Sequence, residues 1–228
     1  MERKDEIKNA YKNLGKMHNY YDGMMTGTTL IGRFVDKTVW QMDKNDIVEY
    51  QSRSLENVPK DFKGSLLEVP VGTGVFSLPI WKTLPDARIT CLDYSEKMLE
   101  GAKNRAEELD IRNVTFMQGD VGKLPFEDQS FDIVVSLNGF HAFPDKEAAY
   151  SETYRVLKDD GLFMGCFYVK DANSHTDMII RDLYVKKGFF TPPFETVETL
   201  RKRLEENYTD VQVSNVQSIA CFCARKKK

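Results

Sequence analysis

The chain has 228 residues, with 32 Lys plus Arg against 35 Asp plus Glu and a formal net charge of −3. That length suits one ordinary domain with room for a cap or an insertion, and the near-balanced charge supplies no field that would draw nucleic acid or an anionic membrane. The four cysteines, Cys91, Cys166, Cys221 and Cys223, sit in apolar strand-like runs with no C-x-x-C spacing, as small buried hydrophobes of a reducing compartment do. The N-terminus MERKDEIKNAYKNLG lacks the apolar run of a signal peptide, and nowhere do 18 apolar residues follow one another. The expectation is a cytoplasmic protein with no stable membrane insertion and no nucleic-acid partner.

Residues 1–63 read as a helical N-terminal cap, with Asp36 or Thr38 as a helix start and one helix running from Thr38 until just before Pro59. The core, residues 64–228, begins with the strand SLLEVPV, followed by a turn at Gly72 and Gly74 and a helix through FSLPIWKTL. The strand RITCLD comes next, then a helix from Tyr94 to Leu109 that starts at Ser95, and the strands NVTFMQGD and FDIVVSLNGF. A helix over EAAYSETYRVLK leads to the strand DGLFMGCFYV and to an insertion at about 171–194 with helical character around DMIIRDLYVKK. The helix ETVETLRKRLEENY and two strands, DVQVSNVQ and SIACFCARK, finish the chain. Strands alternating with helices imply an α/β fold, a doubly wound, seven-stranded, mostly parallel sheet, since parallel neighbours need crossover helices. The last two strands are joined too closely for a crossover and must form an antiparallel hairpin.

Three strand-like runs end beside an acid or a glycine turn, where open α/β sheets hold their ligands. Gly72 and Gly74 allow close backbone approach at the start of a helix, although an isolated Gly-x-Gly is equally a tight turn. Asp93, closing the second strand, can accept both hydroxyls of a ribose; the competing role of helix cap is already filled by Ser95. A nicotinamide site would share those two features, but it calls for a third glycine where this chain has Ser77 and for no acid at Glu68. Near the end of a buried strand Glu68 must meet a cationic group or several N–H donors, and the ammonium of an amino-acid moiety fits; a salt bridge to a cap lysine or arginine is the alternative. His141, after the fourth strand, is the best-placed titratable group for removing a proton from an acceptor, against the alternative of a loop histidine packed beside Phe140 and Phe143.

Over about residues 64–170, and more weakly in the terminal hairpin, the chain resembles the class I S-adenosylmethionine-dependent methyltransferases, with motifs matching in order and spacing. The resemblance implies that Glu68, Pro70, Gly72, Thr73 and Gly74 wrap the methionine end of S-adenosyl-L-methionine, that Asp93 takes its ribose, and that Tyr94 and Met98 flank its adenine. Gly119, Asp120 and Val121 would read the adenine edge, as GD-x-x-x-LPF does in the most similar subgroup, and Leu137, Asn138 and Gly139 would border the methyl group. Arg155-Val156-Leu157-Lys158 with Gly161 is similar to the R-V-L-K-x-x-G run of the ubiquinone and menaquinone C-methyltransferases. Pro70 stands where the family has the first glycine of G-x-G-x-G, and GCFYVKDAN replaces the E-x-S run that follows strand five in the quinone enzymes.

Tyr21-Asp22 followed by Met24 resembles the Y-D-x-M start of the same enzymes and makes Tyr21 a second catalytic candidate. Together with Tyr11, Tyr20, Met25, Phe34 and Trp40 it forms an aromatic and methionine cluster that could roof an apolar pocket, or serve simply as core. His18 and His175 have no partner at ligand spacing, so no metal is expected. The implied activity is methyl transfer to a small-molecule acceptor, apolar or aromatic and quinone-like. The alternatives are an NAD(P)-binding oxidoreductase and a non-catalytic cofactor-binding protein of the same fold. Assembly, a homodimer included, stays open at this level.

Overall fold

The computed structural model describes residues 22, 23 and 26–228. Its centre is a seven-stranded sheet in the order β3-β2-β1-β4-β5-β7-β6. The strands are β1 (Ser65–Glu68), β2 (Arg88–Asp93), β3 (Val114–Gln118), β4 (Phe131–Leu137), β5 (Leu157–Tyr168), β6 (Tyr208–Val216) and β7 (Ile219–Lys226). The first five run parallel, and β7 is antiparallel to both β5 and β6. This is the expected doubly wound sheet with a terminal hairpin. The order reverses between β1 and β4, so the carboxyl ends of β1, β2 and β4 open into one crevice.

Among the described residues the α-helices, in chain order, are α1 (Leu30–Val35), α2 (Lys44–Leu55), α3 (Leu78–Trp81), α4 (Glu96–Glu108), α5 (Lys146–Val156), α6 (Ser174–Ile179) and α7 (Val197–Asn207). Neighbouring strand residues point to opposite faces. Leu66 and Cys91 pack with α2, α3 and α4 on one face, while Leu67 and Leu92 join the core containing Ala149 of α5 and Leu200 of α7 on the other. The result is a three-layer sandwich with two apolar cores.

Two sequence expectations change. The single helix expected from Thr38 to Pro59 is broken: Asp36–Trp40 form a π-helical turn, Gln41 is left-handed at φ 53°, and α2 starts afresh at Lys44. The break follows from Asp43, whose carboxylate caps the amides of Asn45 and Asp46 while Asp46 reaches back to the Asp43 amide. The helix expected over FSLPIWKTL is only the single turn α3, with Pro79 in its first turn. Within residues 1–63, α2 lies on the sheet face itself, with Ser54 and Tyr50 in hydrogen-bond contact with Cys221 of β7. All four cysteines are buried free thiols, as expected.

Candidate functional site

β1 delivers Glu68 to the floor of the crevice with 1% of its surface exposed. Its Oε2 accepts the indole N–H of Trp81 at 2.7 Å and the thiol of Cys91 at 3.5 Å. Burial pushes its carboxyl up to about 7; the Trp81 and Cys91 hydrogen bonds oppose that, and the nearby Asp93 charge adds to it. Neither alternative partner is realised: among the described residues Glu68 has no Lys or Arg beside it, and neutral donors hold it instead.

The chain then turns through Gly72 and Gly74, at φ 57° and 66°. These left-handed angles favour glycine, and at Gly74 a Cβ would stand 2.4 Å from Leu78 Cδ1. Asp93, at the end of β2, ties the turn to the sheet. Its Oδ2 accepts the Gly72 amide and its Oδ1 the Ser95 amide, both at 2.8 Å. Burial raises its carboxyl to about 6 against the pull of those bonds. The Tyr94 amide is a third backbone donor to this carboxylate, which offers about four acceptor positions. Among the described residues the amides of Thr73, Val75 and Phe76 reach no carbonyl, and all three residues line the crevice.

The remaining walls come from four more segments. Tyr94 and Met98 stand at the start of α4, and Gly119, Asp120 and Val121 follow β3. Leu137 and Asn138 close β4, with Asn138 held left-handed at φ 54° and its amide donated to Cys166 O at 2.7 Å. Ala142, Phe143 and Pro144 finish the apolar end. The crevice with its open mouth takes in about 1070 Å³ of space. Pro70 lines it as well, and its ring explains Gly139: a Cβ there would meet Pro70 Cδ at 2.4 Å and Phe143 Cζ at 2.6 Å. Gly139 therefore shapes the site from behind rather than facing into it.

His141 is not brought into the crevice. It is buried, stacked on Phe190 with ring centroids 3.9 Å apart, and its Nδ1 accepts the Tyr168 amide at 3.1 Å. That bond places the ring proton on Nε2 and leaves no free lone pair for a second proton. Burial, with the Lys146 charge behind it, depresses its pKa to about 3. The expected base is a neutral packing residue that holds the β5 end against the insertion. Tyr21 lies outside the described residues, as do Tyr11, His18, Tyr20, Met24 and Met25. Of the expected roof, Phe34 points outward and is 67% exposed, whereas Trp40 packs against Tyr168, Tyr184 and Phe190. No group of three or more metal-ligating side chains occurs among the described residues.

Sequence reasoning missed Trp81, the donor to Glu68; a tryptophan seven residues past the Gly-x-Gly was the available signal. It also missed Phe143 and Pro144, which follow the fourth strand at the apolar end.

Residues 66–161 match a family model described as a methyltransferase domain. The chain is similar to the demethylmenaquinone methyltransferase of Staphylococcus aureus, 36% identical over 125 residues that cover 52% of this chain and 51% of that one. The chain spans about half the length of the curated relatives it matches. In fold it is similar to a SAM-dependent methyltransferase, described as a possible histamine N-methyltransferase, from Thermotoga maritima. The TM-score is 0.67 at 17% identity, over 97% of this chain and 100% of that one. It is also similar to phosphoethanolamine N-methyltransferase 2 of Haemonchus contortus in complex with S-adenosylhomocysteine, with TM-score 0.68 at 17% identity, over 87% of this chain and 58% of that one.

Proposed function

We propose that the protein, whose residues 66–161 match a methyltransferase-domain model, transfers a methyl group from S-adenosylmethionine to a small apolar or aromatic acceptor of quinone-like chemistry. The observation that carries the cofactor reading is the pair of buried carboxylates, Glu68 and Asp93, under a turn of unpartnered amides. Two acids on one floor repel a pyrophosphate, which weighs against a dinucleotide, and they suit a ligand carrying an ammonium and a ribose. The donor set fits S-adenosylmethionine. Glu68 would take the ammonium, the amides of Thr73, Val75 and Phe76 the carboxylate, and the remaining acceptor capacity of Asp93 the ribose. Tyr94 and Met98 would enclose the adenine, with Asp120 and Val121 at its edge.

The sulfonium supplies an already activated methyl group, so the protein's task is alignment. Leu137 and Asn138 border one side of the transfer path, and the backbone bond from Asn138 to Cys166 fixes that corner. Ala142, Phe143 and Pro144 exclude water at the acceptor end. None of these five residues titrates, and His141 is neutral and committed to Tyr168. Among the described residues the acceptor end therefore offers no base, which suits an acceptor that brings its own nucleophilic character, as an electron-rich phenol or enol does. The similarity to the S. aureus demethylmenaquinone methyltransferase points to a naphthoquinol-like ring.

Incubation with methyl-deuterated S-adenosylmethionine and a reduced demethylated naphthoquinone, followed by mass spectrometry, tests this. Label on a ring carbon supports the reading. Turnover of amines or catechols but not of the quinol would refute the acceptor class while leaving the cofactor in place.

A further inference from the structure

Arg105 sits in the third turn of α4, away from the acceptor end, yet it reaches the cofactor turn. Its Nη1 donates to the carbonyl of Thr73 at 2.6 Å and its Nη2 to Asp22 Oδ2 at 2.6 Å. The ring closes through Thr73, whose hydroxyl donates to Asp22 Oδ1 at 2.5 Å. Three segments distant in sequence thus share one set of charge-assisted hydrogen bonds. The ion pair is largely screened from water, with side-chain exposures of 23% for Arg105 and 13% for Asp22. At such a site the attraction is less attenuated than on an open surface, and the planar guanidinium fork suits two acceptors at once.

We propose that Arg105 is a positioning residue for the cofactor turn, and that Asp22 completes a latch on that turn so that cofactor affinity depends on the intact ring. The inference rests on reading the crevice as an S-adenosylmethionine site. Thr73 is the hinge of the device. Its hydroxyl and carbonyl are both committed to the latch, and its amide, between Gly72 and Gly74, has no backbone acceptor among the described residues. Within this turn the Gly74 amide returns to Val71 O and the Gly72 amide goes to Asp93, so the Thr73 amide is set by these bonds and by the Arg105 contact. Gly101, one turn earlier on α4, brings that helix close: a Cβ there would stand 3.6 Å from Thr73 Cγ2. Without the latch the turn keeps its glycines and its Asp93 bond but loses the contacts that orient its central peptide.

The test is calorimetric titration of S-adenosylhomocysteine into the wild type, Arg105→Met, Asp22→Asn and the double variant, each shown to be folded at the assay temperature. Arg105→Met and Asp22→Asn are each expected to weaken binding by about tenfold, the scale of one hydrogen bond to a charged group. The double variant should bind little worse than either single one, because the ring breaks only once. Arg105→Lys, which keeps the charge without the fork, should fall between wild type and Arg105→Met. Should Arg105→Met not fold, the near-isosteric Asp22→Asn carries the test. Folded variants that bind as tightly as wild type, or whose losses add in full, would overturn the latch and leave the cofactor reading intact. A wild type that does not bind S-adenosylhomocysteine would overturn that reading instead.

Discussion

Trp81→Phe isolates the bond that readies Glu68 for a cation. The substitution keeps a buried aromatic ring but deletes the N–H that donates to Glu68 Oε2 at 2.7 Å. In the wild type the Glu68 carboxyl is raised to about 7, so it is about half ionised at neutral pH, and the ionised form grows as pH rises. A ligand ammonium needs that ionised form. Wild-type affinity for S-adenosylhomocysteine should therefore climb about tenfold per pH unit below neutrality and level off above it. A buried hydrogen bond to a carboxylate contributes about 1.5–3 kcal/mol, or ten- to a hundredfold in proton affinity. Its loss keeps Glu68 protonated to correspondingly higher pH. At pH 7 the variant should bind about five- to fiftyfold more weakly, and by pH 9 the gap should close to about twofold. Titration calorimetry from pH 5 to 9 on both proteins reads this directly. A deficit of the same size at every pH would mean that Trp81 only fills space, and superimposable curves would remove Glu68 from the cofactor site.

His141→Phe should leave the pH profile of turnover unchanged and turnover within a few-fold, while lowering thermal stability by about 1–3 kcal/mol because the buried Tyr168 amide loses its acceptor; loss of an ionisation from the profile would restore His141 as a base. Gly139→Ala should cost about 1–3 kcal/mol through the clash with Pro70 and Phe143 and should weaken cofactor binding, both measurable by melting with and without S-adenosylhomocysteine. Asp36 is buried with its Oδ2 unpartnered among the described residues, and burial raises its carboxyl to about 6. A raised acid stabilises the fold below its unfolded value of 3.8, and that contribution is lost as pH rises through 6. Asp36→Asn should therefore be about 3 kcal/mol more stable than wild type at pH 8, with little of that difference left at pH 4; equal differences at the two pH values would contradict the assignment.

The fold was legible because its signals are local. Apolar runs such as LLEVPV and FDIVVSL are long enough for buried strands, Ser95 caps α4 as its position suggests, and the hairpin follows from the shortness of its connection. That Glu68, Gly72, Gly74 and Asp93 line one crevice was legible for the same reason, since they sit where strands end. What escaped were side chains whose role is set by distant partners. Trp81 matters through Glu68, Arg105 through Asp22 and Thr73, and Gly139 through the ring of Pro70. His141 was misjudged because its position after β4 says nothing of Phe190 and the Tyr168 amide, which arrive from β5 and the insertion. The broken helix at Gln41 was hidden because the capping box at Asp43 and Asp46 lies within an otherwise helical pattern.

Whether the crevice over Glu68 and Asp93 holds S-adenosylmethionine is read from calorimetric titration at pH 8 with S-adenosylmethionine, S-adenosylhomocysteine, NADH and NADPH. Micromolar binding of the first two, abolished or strongly weakened in a folded Asp93→Ala variant, with no heat from the dinucleotides, is the predicted result. Binding of a dinucleotide instead, or binding of S-adenosylhomocysteine unaffected by Asp93→Ala, would contradict it.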